Sequence, residues 1–154
     1  MVRLKDDAKA TSSEVCGMGR FSVEVDLANN HELELSAGGF LPFDRVRRLR
    51  IAGVVDSGAA RLVLPQSACD QLGLVPTGQV GVRYADTRRA QRPLVSGVHL
   101  THLDRSGVFS AVVEPDRDTA LIGAIVLEEL DLMVDCSLQR LVPRDPNQII
   151  SEIE

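Results

Sequence analysis

The feature that most constrains the fold is a series of short segments in which apolar and polar residues alternate. Over residues 21–28 the apolar positions are Phe21, Val23, Val25 and Leu27. A period of two is typical of a strand with one buried face. Further short strands are predicted at 33–35, 49–55, 62–64, 80–84, 98–100, 109–113, 121–122, 133–135 and 140–142. So many short strands indicate a mostly β domain, either a barrel or a sandwich.

Few segments favour helix. Pro65 opens a predicted helix that runs to Leu72, with Gly73 as its C-cap. A second short helix is predicted over 124–130, and the isoleucines of the C-terminal tail suggest a weak third one around 149–153. The fold should therefore contain one or two short helices beside its strands.

The chain has 154 residues, which fits one domain. Residues 1–17 are polar and are predicted to be a disordered tail, residues 18–143 to form the domain, and residues 144–154 to be a C-terminal tail. No window approaches 18 consecutive apolar residues, so we expect no membrane-spanning helix and no membrane partner.

Charge and composition exclude several classes of function. The formal net charge is −5 and aromatic residues make up 3%, which argues against a nucleic-acid partner. Cys16, Cys69 and Cys136 are odd in number and lack metal-type spacing, so we expect reduced thiols in a cytoplasmic protein. His99 and His102 lack further ligands in a familiar pattern. No metal and no cofactor are therefore expected.

The segment that carries chemistry is Asp56-Ser57-Gly58, which follows the apolar strand over 49–55 directly. The strand would place the carboxylate, the hydroxyl can hydrogen-bond to nearby backbone, and the glycine allows another group to come close. The same three residue types are also favoured at an ordinary strand-to-turn junction. Alone, the triplet is a weak signal of a catalytic carboxylate.

Its context makes the signal more specific. After Asp-Ser-Gly-Ala come a short apolar strand, a short helix and, about sixty residues later, Leu121-Ile122-Gly123 before a second helix. Over residues 20–143 this order closely resembles the retropepsin-like (retroviral-type) aspartic peptidases, especially their small bacterial members. The resemblance implies a closed, barrel-like retropepsin fold, which is half of a bilobal aspartic protease.

The resemblance also implies roles for individual residues. Asp56 matches the catalytic aspartate, and Ser57, Gly58, Ala59 and Gly123 match the residues that support it, with Gly123 packed beneath the active-site loop. The flap, a hairpin that covers the substrate, would comprise Tyr84, Ala85, Asp86 and Thr87. Thr87 stands where the family usually has glycine, and a β-branched residue tolerates a positive φ poorly. We therefore expect another turn geometry at the tip, or a disordered tip in the absence of ligand.

One aspartate per chain implies two chains. Aspartic peptidases use two carboxylates that share one proton, and this sequence has one Asp-Ser-Gly. Asp118-Thr119-Ala120 lacks the glycine and is interpreted as a turn. The resemblance thus predicts a homodimeric endopeptidase, with a peptide or protein as substrate and Asp56 of each subunit on the two-fold axis.

Two alternatives remain open from the sequence. The chain could instead be a catalytically weak or inactive retropepsin-like module that dimerises or binds peptides, or a monomeric domain that keeps the fold but not the dimer. The second alternative concerns the arginines between 45 and 50. They form either a charged edge strand that resists aggregation or, with the arginines of the flap, a basic rim that attracts acidic peptides.

Overall fold

The computed structural model describes residues 20–153. Its strands are β1 (Phe21–Asn29), β2 (Arg48–Val55), β3 (Leu62–Pro65), β4 (Pro76–Arg83), β5 (Arg89–His102), β6 (Arg105–Glu114), β7 (Ala120–Ile122), β8 (Leu132–Asp135) and β9 (Arg140–Pro143). Its α-helices are α1 (Asn30–Ala37), α2 (Gln66–Leu72) and α3 (Ala124–Leu130), and a 3₁₀ helix covers Phe43–Arg45.

Six strands form a closed ring. Their order is β1-β2-β7-β3-β6-β5, and β5 pairs again with β1 through Leu27 opposite Leu100. β4 continues the sheet beyond the ring, where it pairs with the first half of β5. The mostly β, closed-barrel prediction is confirmed. β8 and β9 form a separate two-stranded sheet.

The interior of the ring is aliphatic. Leu27, Leu62, Leu64, Leu100 and Ile122 are fully buried and come from four different strands. Each lies on the inward side of an alternating strand, as the two-residue period predicts. Burial of these branched side chains is the main force that closes the barrel.

Two local predictions are wrong. Residues 33–35 belong to helix α1 rather than a strand, because Asn29 caps the helix by accepting a hydrogen bond from the Glu32 N–H at 3.1 Å. Two alternating leucines are too short a pattern to outweigh that cap. The described end of the chain, 144–153, contains no helix around Ile149 and Ile150. The third short α-helix of the structure is therefore α1.

The cysteines also differ from expectation. Cys69 is free and fully buried, and burial raises the pKa of its thiol to about 11. Cys136 is disulfide-bonded, so the expectation of three reduced thiols is wrong. A disulfide depends on the distance between two Cα atoms in the fold, which sequence spacing does not give. The cytoplasmic location rested on those thiols and remains a prediction.

No helix among residues 20–153 has the length and hydropathy needed to cross a bilayer. The predicted tail over 1–17 lies outside the described residues, and the boundaries of the domain at 18 and 143 remain predictions.

Candidate active site

Asp56 lies where two parallel strands end side by side. β2 pairs in parallel with β7, with Val55 opposite Ile122. The Asp56 N–H continues this ladder by donating to the Ile122 carbonyl at 3.0 Å. The carboxyl ends of the two strands therefore bring Asp56 next to Gly123, although they are far apart in sequence.

The Asp56 carboxylate is held on both oxygens. Its Oδ1 accepts a hydrogen bond from the Gly58 N–H at 3.0 Å, and its Oδ2 lies 3.3 Å from a guanidinium nitrogen of Arg20. The Ala59 N–H donates to the Asp56 carbonyl at 3.1 Å, which closes the turn after the strand. The side chain is 14% exposed, so the carboxylate is oriented by fixed donors and still reaches solvent.

Gly123 lies at the start of α3, against the loop over 56–61. The N–H groups of Ala124 and Ile125 donate to the carbonyls of Ala59 and Ala60 at 2.8 and 3.0 Å. A Cβ on Gly123 would lie only 2.5 Å from the Arg61 carbonyl oxygen. The start of α3 and the loop over 56–61 can approach this closely only because residue 123 is glycine.

Ser57 and Gly58 are exposed, and Ala59 is half-buried. These positions leave the Ser57 side chain and the Gly58 backbone open to a second molecule. Their proposed supporting roles are consistent with this exposure but remain predictions.

Arg20 is a site residue that sequence reasoning missed. It directly precedes β1, whose antiparallel register with β2 sets Phe21 opposite Val55. Because the strands are antiparallel, the residue before Phe21 and the residue after Val55 are also opposite each other, and these are Arg20 and Asp56. The sequence patterns of β1 and β2 predict both strands. Placing Arg20 beside Asp56 also requires the register between them, which neither strand specifies alone.

A groove of about 610 Å³ begins two residues beyond Asp56. One side is the loop segment from Gly58 to Arg61, another is the end of β6 at Glu114, and a third is the β4–β5 hairpin. Tyr84 is the predicted flap residue that lines the groove, whereas Ala85, Asp86 and Thr87 form the exposed hairpin tip. The groove therefore lies between the loop that follows Asp56 and the β4–β5 hairpin.

The geometry of the tip corrects one expectation. Thr87 has a φ of 71°, the left-handed conformation that the sequence analysis expected the tip to avoid. The Thr87 N–H donates to the Tyr84 carbonyl at 2.9 Å, and the Tyr84 N–H donates to the Arg88 carbonyl at the same distance. A three-residue hairpin loop of this kind places its third residue in the left-handed region. Here the demands of the loop outweigh the steric preference of threonine.

Asp86 stabilises the same tip. Its carboxylate accepts the Arg88 N–H at 3.0 Å and pairs with the Arg88 guanidinium at 2.9 Å. These two interactions hold the pKa of the Asp86 carboxyl below its usual value. The Arg88 side chain in turn lies over the Tyr84 ring, 4.6 Å from its centre.

The base of the hairpin is tied to β6 by three side chains, here called the Tyr84 network: Tyr84, Arg92 and Glu114. The Tyr84 hydroxyl donates to Glu114, and the Arg92 Nε lies 2.9 Å from Glu114 and 3.0 Å from the Tyr84 hydroxyl. Burial and the hydrogen bond to Glu114 raise the pKa of Tyr84, against the opposing effect of Arg92. Sequence reasoning identified Arg92 only as part of a basic hairpin and missed Glu114 altogether.

Other predicted acids and histidines lie apart from Asp56. Asp135 ends β8 and pairs with Arg140 at 3.4 Å. Asp118 and Thr119 lie in the turn before β7. His102 bonds the Glu24 carbonyl at 3.0 Å through its Nδ1. Nowhere in residues 20–153 do three potential ligands gather as a metal site would require.

No family model and no curated protein matches the sequence. Among solved structures, the chain is similar to the EIAV protease complexed with the inhibitor HBY-793, with 15% identity and a TM-score of 0.49 over 72% of this chain and 88% of that one. It is also similar to the simian foamy virus (mac) protease, with 14% identity and a TM-score of 0.40 over 51% of this chain and 80% of the other. A foamy viral protease-reverse transcriptase matches at 15% identity and a TM-score of 0.42, over 51% of this chain and 10% of that one. Likenesses at this level assign no activity to the chain.

Proposed function

We propose that the chain is an aspartic endopeptidase that hydrolyses peptide bonds with two Asp56 carboxylates, one from each subunit of a homodimer. The observation that carries the proposal is the Asp56 carboxylate itself. It is fixed by the Gly58 N–H and reaches solvent, and the loop segment that follows it, from Gly58 to Arg61, lines a groove bordered by the β4–β5 hairpin. An ordinary strand-to-turn junction has no need of the Gly123 contact that fixes the loop behind this carboxylate.

The chemistry requires a second carboxyl group. One Asp56, ionised, accepts a proton from water as the water oxygen attacks the carbonyl carbon of the substrate. The other, protonated, donates its proton to the carbonyl oxygen. The tetrahedral intermediate then loses the amine, which takes a proton from the first carboxyl as the C–N bond breaks. The hydroxyl formed from the carbonyl oxygen returns its proton to the second carboxylate as the C=O bond forms again.

A single chain supplies half of this dyad. Among the described acids, none forms an ion pair or hydrogen bond with Asp56, whose polar contacts are Arg20 and backbone groups. A symmetric dimer is the simplest source of the second carboxylate, because a two-fold axis beside Asp56 places its copy next to it. The exposed Ser57 would then hydrogen-bond across that axis.

The test is Asp56→Asn, which keeps the size of the side chain and removes its acid–base chemistry. We expect hydrolysis of a mixed peptide library to be abolished, while the melting temperature changes little because the lost ion pair with Arg20 is worth about 1 kcal/mol or less. Asp118→Asn, a carboxylate in the similar Asp-Thr sequence, is the matched control and should retain full activity. Undiminished cleavage by purified Asp56→Asn protein would exclude the proposal.

A second candidate is a peptide-binding module without catalysis. Two observations favour it: Arg20 already occupies one oxygen of Asp56, and the Tyr84 network fixes the hairpin against β6. Such a module would bind the same peptides with equal affinity in the unsubstituted and the Asp56→Asn protein, and would cleave none of them.

A further inference from the structure

We infer that the groove beside Asp56 selects acidic peptide segments, with Arg61 and Arg83 as the residues that read their carboxylates. This inference rests on the proposed function, since it names the substrate class of the same site. It starts from the charges that line the groove.

The lining is strongly basic. Five arginines border the groove, against the two carboxylates Glu114 and Asp116. The arginines are Arg61, Arg83, Arg88, Arg92 and Arg117. The whole chain has a net charge of −5, so this concentration of positive charge runs against the overall composition. An anionic ligand is attracted to such a local field even by a protein that is acidic as a whole.

Three of these five arginines are not free to bind the carboxylate of a ligand. Arg92 pairs with Glu114 at 2.9 Å and Arg88 with Asp86 at 2.9 Å, so the carboxylates of the protein already balance both. Arg117 is half-buried and donates to the Thr119 carbonyl at 3.0 Å, a contact that holds the turn before β7.

Arg61 and Arg83 remain. Both are exposed, and within residues 20–153 neither lies within ion-pair distance of a carboxylate. Arg61 belongs to the loop that follows Asp56, and Arg83 is the last residue of β4, at the covering hairpin. A chain that lay along the groove would therefore meet a free guanidinium on each side.

Arginine suits this task because its planar guanidinium binds a carboxylate through two parallel hydrogen bonds. The apolar part of the lining, which includes Val63, Val82 and Leu121, offers contact for the apolar side chains of the same segment. The groove thus favours an extended segment with apolar residues and Glu or Asp on both sides of them.

The arginines between 45 and 50 do not belong to this surface. Arg47 pairs with Glu32, Arg50 pairs with Asp26 at 2.8 Å, and Arg48 lies over the Phe43 ring at 4.2 Å. Arg48 and Arg50 line a different cavity, on the side of α1. A charged edge strand is the better interpretation of these arginines, because residues 48–52 of β2 pair with β1 alone in the described sheet. The basic surface is restricted to the groove and its hairpin.

The experiment measures binding to the Asp56→Asn protein, so that it does not depend on catalysis. Two peptides with the same apolar centre are compared, one flanked by Glu and the other by Gln. Each exposed guanidinium–carboxylate pair contributes about threefold in affinity, so we expect the Glu peptide to bind roughly tenfold more tightly. The preference should shrink at high salt.

The variant Arg61→Gln/Arg83→Gln should bind both peptides equally. Arg45→Gln, which removes an exposed charge outside the groove, is the matched control and should keep the preference. The inference is overturned if the Asp56→Asn protein, with Arg61 and Arg83 unchanged, binds the two peptides with equal affinity. It is also overturned if that protein binds neither peptide measurably. Displacement of the Glu peptide by a single-stranded oligonucleotide of equal charge would also overturn it, because the groove would then recognise phosphate.

Failure of the proposed function gives a different result. Selective binding of the Glu peptide, without its cleavage by the unsubstituted protein, supports an acidic-segment site and contradicts the peptidase. Cleavage of both peptides at equal kcat/KM supports the peptidase and overturns the selection.

Discussion

Arg20 lies 3.3 Å from Asp56, with its guanidinium on the carboxylate oxygen that the backbone of the loop leaves free. The side chain of Arg20 is 57% exposed and that of Asp56 is 14% exposed. The cation therefore stands on the solvent side of the carboxylate. In the proposed dimer, that is the side from which the second Asp56 must approach.

Replacing Arg20 should consequently increase activity. The guanidinium and a shared proton compete for the same carboxylate, so Arg20→Gln should raise kcat/KM about two- to fivefold, the range expected for an exposed ion pair of up to about 1 kcal/mol. The measurement is steady-state hydrolysis of a fluorogenic peptide. Arg50→Gln, which breaks an exposed pair with Asp26 outside the groove, is the control. A large loss of activity in Arg20→Gln would instead mean that Arg20 holds Asp56 in its working orientation.

Activity should depend on protein concentration. If each subunit supplies one Asp56, the specific activity should fall on dilution, because dissociation removes the second carboxylate. Sedimentation velocity and hydrolysis should give the same midpoint. A monomer that kept its full specific activity would contradict the shared site.

Gly123→Ala should disturb the loop that carries Asp56. The added methyl would lie 2.5 Å from the Arg61 carbonyl oxygen and 2.9 Å from the Ala59 carbonyl oxygen, so the backbone has to move. We expect a loss of about 1–3 kcal/mol in the free energy of unfolding, together with lower kcat. Gly78→Ala is the matched control, because a Cβ there meets no atom within 4 Å. Equal urea midpoints for the two variants would show that α3 does not support the loop.

Thr87→Gly should stabilise the hairpin. A β-branched residue in the left-handed region costs about 1–2 kcal/mol, and glycine removes this cost at the expense of a more flexible unfolded chain. The expected net gain is up to about 1 kcal/mol, measured by thermal unfolding. Ala85→Gly, at the same tip but without a positive φ, should instead lower the melting temperature slightly. A lower melting temperature for Thr87→Gly would show that the Thr87 hydroxyl, which donates to the Asp86 carbonyl at 2.5 Å, matters more than the strain.

The barrel was predictable because its signals are local. The alternation of Val25 and Leu27, or of Leu62 and Leu64, specifies a strand and its buried face within a few residues. The same holds for α2, where Gly73 adopts the expected left-handed cap with a φ of 68°. Each of these features can be predicted from its own short segment of the sequence.

What could not be predicted depends on register or on competition between local effects. Arg20 reaches Asp56 only through the pairing of β1 with β2, and Glu114 reaches Tyr84 only through the packing of the hairpin on β6. At Thr87 the steric preference of the residue opposed the geometry of the loop, and the loop prevailed. The strand predicted at 33–35 failed for a similar reason, since the Asn29 cap was stronger than the alternation beside it.

β4 lies outside the ring, and this has a mechanical consequence. From Arg89 to Pro93, β5 pairs only with β4 in the described sheet, and its pairing with β6 begins at Leu94. The part of the hairpin before Leu94 can therefore move without breaking a pairing between β5 and β6 of the ring. Beyond its base, its position is set by the Tyr84 network, which contains one ion pair. Opening and closing of the groove is in this way separated from the strand pairing of the barrel, and salt that screens the Arg92–Glu114 pair acts directly on the hairpin.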